Sequence, residues 1–129
     1  MEDLVFTVQA LLKCNGLCID HNIWYHYRRN PKSTLHAYNP QMWEDQVQVH
    51  QLLEELLEQA GLGEYMLNRL DLRYIGMAFG AIYNETNRTT KEPKIQIRER
   101  MKRVREICSD ERLKTTLDRV KPILKPKSL

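Results

Sequence analysis

The stretch Tyr74-Ile75-Gly76-Met77-Ala78-Phe79-Gly80-Ala81-Ile82-Tyr83 contains no charged residue. A helix through it is apolar on every face, the pattern of the central helix of a bundle rather than of a peripheral, one-sided one. The apolar run begins at Tyr65 and passes through Leu67, Leu70 and Leu72, with Asp71 and Arg73 interrupting it. It is therefore too short to span a membrane, which takes about 20 apolar residues. Gly76 and Gly80 lie one turn apart. Small residues at that spacing let a second helix approach closely, although each costs about 1 kcal/mol of helix propensity relative to alanine.

On the N-terminal side of this segment the spacing predicts a helix starting at Asn39 as N-cap, with Pro40 in the first position and Glu44-Asp45 near the positive end of the dipole. Its apolar stripe is Trp43, Val47, Val49, Leu52, Leu53, Leu56, Leu57 and Ala60, and Gly61 ends it. Gln46, Gln48, Gln51, Glu54, Glu55 and Glu58 form the opposite, solvated face. Further back, Leu4, Val5, Val8, Leu11 and Leu12 follow helical spacing up to Asn15-Gly16. Asp20 is placed to cap a short helix through Ile23, Trp24 and Tyr27, and residues 30–39 read as a loop.

On the C-terminal side a polar loop is expected from Asn84 to Pro93. Two narrow stripes follow, Ile97, Met101, Val104 and Cys108, then Leu113, Leu117, Val120 and Leu124 after a cap at Ser109-Asp110. The chain has only five Gly and five Pro in 129 residues, which disfavours an all-β fold of many short turns. With 42% apolar and 29% charged residues it has the composition of a globular domain. The expectation is an all-α, single-domain bundle of about five or six helices, with a hydrophobic central helix and a basic C-terminal helical segment. The domain is placed at residues 1–121 and a flexible tail at 122–129.

The net charge of +3 hides a division. Residues 91–127 carry 13 Lys and Arg against six Asp and Glu, a net +7, whereas residues 1–90 carry seven against eleven, a net −4. An acidic body, 1–90, thus adjoins a basic helical segment, 91–121. Arg98, Lys102 and Arg105 share a helix face and, with Arg103, form a candidate surface for an acidic partner or for phosphates, whose neutralisation releases counterions. Arg28-Arg29 follow Trp24-Tyr25-His26-Tyr27, an interleaving of rings and cations suited to base stacking. The plain alternative is a solvated face, with Glu99–Arg103 and Lys102–Glu106 paired at i, i+4. For the rings it is ordinary packing.

Cys14, Cys18, His21 and His26 are residue types that ligate zinc, in a C-x3-C-x2-H-x4-H array. The two residues between the cysteine pair and the histidine pair are far fewer than the dozen or so of a zinc finger, and Cys14 and Cys18 also suit small apolar packing positions. Zinc is accordingly the lesser alternative, and no cofactor is the leading expectation. Three cysteines do not make an even-numbered disulfide framework, and acids at Glu2-Asp3 stand where a secretory leader has cations, so the cytoplasm or nucleus is expected. No phosphate-binding glycine loop or dinucleotide fingerprint occurs, and no Ser or Cys has a base partner by spacing. These features predict a non-enzymatic, regulatory or protein-interaction protein that uses its basic C-terminal helices or an apolar groove. Nucleic-acid binding is the alternative, no membrane association is expected, and the narrow stripes leave homo-oligomerisation open.

Overall fold

The computed structural model describes residues 2–26, 37–88 and 97–122, and among them are five helices and no strand. They are α1 (Glu2–Lys13), α2 (Met42–Gln59), α3 (Gly63–Asn87), α4 (Ile97–Ser109) and α5 (Glu111–Val120). The all-α bundle expected from the sequence is formed. Central position belongs to α3, against which α2, α4 and α5 all pack, while α1 leans on α2.

The α2–α3 hairpin is set by a single glycine. Gly61 has φ +70°, its N–H donates to the Glu58 carbonyl at 2.9 Å, and the Leu62 N–H donates to the Leu57 carbonyl at 2.8 Å. This is a Schellman closure, in which the left-handed residue satisfies carbonyls that α2 leaves open. The chain then reverses, so that His50 meets Arg73 and Met42 meets Gly80. At the other end Asn39 accepts the Gln41 N–H on its side chain at 3.0 Å, in the turn that leads into α2. Asp110 plays the corresponding part for α5, accepting the Leu113 N–H at 2.7 Å with its own backbone extended.

The buried apolar cluster is Tyr74, Met77, Ala78 and Ala81 of α3, Ile107 of α4 and Leu113 of α5, with Trp43, Val47, Ile75 and Ile82 packed against it. Trp43 and His50 both meet the Tyr74 ring edge-on, at centroid distances of 5.6 and 5.0 Å. Offset and edge contacts of this kind suit the ring quadrupoles.

Several expectations are corrected. The helix capped by Asp20 is absent over residues 20–26, because the Asp20 carboxylate takes the Asn22 N–H and the Trp24 indole N–H, both at 2.9 Å, and closes a local turn instead. Asn84 does not open a loop: α3 continues through Asn87, and Asn84 is fully buried. Its side chain accepts the Asn39 N–H at 3.1 Å and donates to the Asn39 carbonyl at 2.8 Å, bracketing the start of α2. α3 is not covered all round, since Leu72, Gly76, Phe79 and Tyr83 are exposed. The position where a methyl would stand on Gly76 meets nothing from another element within 4 Å, so among the described residues no helix uses that glycine for close approach.

The stripe on α4 is rotated from its expected place. Ile107 is its buried residue and Val104 is half-buried, whereas Ile97, Met101 and Cys108 are exposed. The rotation follows from Arg100 and Arg103, which turn inward to bind carbonyl groups. On α5, Leu113 and Val120 are buried as expected, Thr116 replaces Leu117 between them, and Leu124 lies outside the described residues. So does the expected tail from residue 123 onward.

Candidate functional site

Of the candidate basic residues, Arg98, Lys102 and Arg105 are exposed together on α4, spaced four and three residues apart. Lys102 lies 3.6 Å from Glu106, with both side chains well exposed, and Arg103 lies 3.5 Å from Glu99. These are the two i, i+4 pairs anticipated for a solvated face, each worth about 0.3–0.5 kcal/mol. Arg103 differs from the other three. Its guanidinium also donates to the Pro40 carbonyl, so it joins α4 to the segment that leads into α2. Arg28 and Arg29 fall outside the described residues, and the exposed Trp24 and Tyr25 precede them.

Much of the positive charge in the C-terminal segment is turned inward. Arg100 donates to the carbonyls of Asn84 and Arg88, at 2.9 and 2.7 Å, and thereby satisfies the end of α3 from a neighbouring helix. Its guanidinium stacks over Tyr38, 4.7 Å from the ring centre, and lies 3.7 Å from the buried Glu85. Tyr38 donates to that same carboxylate at 2.9 Å. Burial is the first cause that raises the Tyr38 pKa, and the Glu85 contact adds to it. Arg119 binds the buried Asp71 carboxylate through two hydrogen bonds, at 2.9 and 2.7 Å.

The largest polar cluster in the core surrounds His50, which has no exposed surface. Arg73 approaches its Nδ1 at 3.1 Å and Arg112 approaches its Nε2 at 3.2 Å. Glu54 lies 3.5 Å from Nε2 and also accepts a hydrogen bond from Arg112, whose guanidinium stacks 4.7 Å over the Tyr74 ring. Burial, then the two arginines, push the His50 pKa down to about 4 against the opposing pull of Glu54. The ring is therefore neutral at pH 7. A neutral imidazole has one acceptor nitrogen, so the ring accepts from only one of the two arginines at a time, and its other nitrogen carries the proton. Tyr74 completes the cluster by donating to Asp110 at 3.2 Å, and its pKa is pushed up to about 12 by burial and by the Asp110 charge.

None of these inward roles was legible from spacing. Glu54 and Gln46 had been placed on the solvated face of α2, yet Gln46 is buried and Glu54 reaches the core ion cluster. The one available signal was His50 itself, lying between Val47 and Leu53 on the apolar side of the helical repeat.

The apolar surface opposite these clusters is concave. Ile75, Ala78, Phe79 and Ile82 of α3, Cys108 of α4 and Leu113 and Leu117 of α5 line an open groove of about 220 Å³. Phe79 of α3 and Leu117 of α5 keep 68% and 43% of their surface exposed in this groove. Cys14, Cys18, His21 and His26 are all exposed, and no three His, Cys, Asp or Glu side chains gather among the described residues as a metal ion requires. Residues 14–26, which carry the four side chains of the lesser zinc alternative, form neither helix nor strand. No helix among the described residues is long and apolar enough to cross a membrane. Compared with known protein families, with curated proteins and with solved structures, the chain matches none.

Proposed function

We propose that this chain is a non-enzymatic interaction protein that receives an apolar partner surface in the groove between α3, α4 and α5. The observation that carries this reading is the exposure of Phe79 and Leu117 across an open groove lined by apolar side chains. Burying such a patch gains roughly 25 cal/mol per Å² of apolar area, and monomeric proteins seldom leave one vacant without a use for it. The exposed, unpaired Cys14, Cys18 and Cys108 fit a reducing compartment, the cytoplasm or the nucleus. Affinity purification of the full chain beside Leu117→Glu, from cells that express it, tests the reading. Proteins bound through the groove are expected to be lost from the variant, and an identical set of partners on both would refute it.

A second reading rests on the exposed row Arg98, Lys102 and Arg105, which is spaced to follow a line of phosphates. A nucleic-acid complex formed this way loses affinity steeply with added salt, and replacing the three cations by Gln lowers the slope by up to about 3. Binding that is flat with salt would remove this alternative.

A further inference from the structure

α3 exposes a second, longer pattern that none of its own neighbours uses. Tyr65, Arg69, Leu72, Gly76, Phe79, Tyr83 and Thr86 alternate at four and three residues, and all seven are exposed. This is the 3.5-residue repeat by which one helix seats against another along its length, here over about 30 Å. Met42 of α2 lies against Gly80, but among the described residues no helix approaches Gly76, over which the space is empty to 4 Å.

We propose that the partner for this face is a second copy of the chain, with the two α3 helices antiparallel about a two-fold axis between Gly76 and Phe79. The proposal stands beside the groove reading above, since the stripe shares Phe79 alone with the groove. Three features select a second copy. The stripe carries its own bulge and its own vacancy three residues apart, so a two-fold seats each Phe79 over Gly76 of the other copy and each Leu72 beside Tyr83. Such mutual exchange is the requirement of an isologous interface. Charge selects the direction. A parallel pairing would oppose the two Arg69 side chains, whereas the antiparallel one sets Arg69 against Thr86, and no charged residue occurs from Tyr74 to Tyr83. Area is the third. Phe79, Tyr83 and Leu72 of the stripe are 68%, 55% and 48% exposed. Together they offer roughly 350 Å² per copy, under half of what a stable interface covers on each side. The half-buried Ile75 and Ile82, the exposed Cys108 and the polar ends of the stripe are placed to supply the remainder.

Sedimentation equilibrium of the full chain up to roughly 300 µM tests this. The apparent mass is expected to rise from 15.4 kDa towards twice that value. Phe79→Glu and Gly76→Gln, one burying a charge and the other filling the vacancy, are each expected to raise the dimer dissociation constant at least roughly 30-fold. Both positions are exposed in the single copy, so helix content by circular dichroism is expected to stay at the wild-type level. A wild-type chain that remains at 15.4 kDa throughout the range overturns the proposal, as does a dimer that both variants leave intact. A monomer that still captures proteins in a Leu117-dependent way ends the second copy but keeps the groove reading; a monomer that captures none ends both.

Discussion

At the scale of single residues, the least replaceable side chains are polar. His50 lies in the core with a pKa of about 4, well below the usual imidazole value of 6.5. A folded-state pKa below the unfolded one means that the unfolded chain takes up the proton first. The contribution to stability is therefore fully present above pH 6.5 and is lost as pH falls from 6.5 towards 4, a decline on the order of 3 kcal/mol over that window. Urea denaturation at stepwise pH between 7.5 and 5 is expected to show falling stability, and His50→Gln is expected to flatten the trend. An unchanged slope in the variant would assign the effect elsewhere. Asp71 gives a second expectation of the same kind. It is buried and held by two hydrogen bonds from Arg119, so Arg119→Ala leaves a carboxylate with its charge uncompensated. A loss of about 1.5–3 kcal/mol in chemical denaturation is expected, moderated by the partial exposure of the arginine.

At the scale of elements, two glycines predict opposite outcomes. Gly61 closes α2 in the left-handed region at φ +70°, so Gly61→Ala is expected to cost about 1 kcal/mol. Gly76 lies in the interior of α3 with open space where a methyl would stand, so Gly76→Ala is expected to add about 0.5–1 kcal/mol. Thermal melts of the two variants at low protein concentration are expected to move in opposite directions. The stops and starts are legible where a local rule acts alone, as at Gly61 and Asp110, whereas α2 begins at Met42 after a turn through Pro40 and Gln41, two residues later than the Asn39 cap expected. The sequence misled where a long-range contact captures a local group. Asn84 resembles a loop residue until Asn39 supplies both partners for its amide, and Arg100 looks like a surface cation until the end of α3 is seen to need a donor. The α4 stripe moved for the same reason, and no periodicity in residues 97–109 carries that information. Asp20 is the converse case: its local hydrogen bonds won over the helix it was expected to start.

At the scale of the whole molecule, the separation of an acidic body from a basic segment is stitched together by the charges themselves. Arg100, Arg112 and Arg119 reach from α4 and α5 to Glu85, Glu54 and Asp71 on α2 and α3. Three arginines of the basic segment thus serve the fold, while Arg98, Lys102 and Arg105 form an outward row on α4. Moderate salt is expected to lower stability only slightly, because these contacts are partly buried and weakly screened. Comparing denaturation midpoints in dilute buffer and in roughly 0.5 M NaCl checks this. A large loss would mean that exposed pairs hold the bundle.

α1 has a different standing from the rest. It leans on α2, keeps Leu4, Phe6 and Leu11 substantially exposed, and places no residue in the main buried cluster. In terms of cooperativity, its release breaks none of the polar clusters that tie α2 to α5. Backbone amides in α1 are therefore expected to exchange with solvent deuterium well before those of Tyr74 to Ala81, whose release requires the bundle to come apart. The expected pattern is one cooperative opening unit for α2 to α5 and a separate, weaker one for α1.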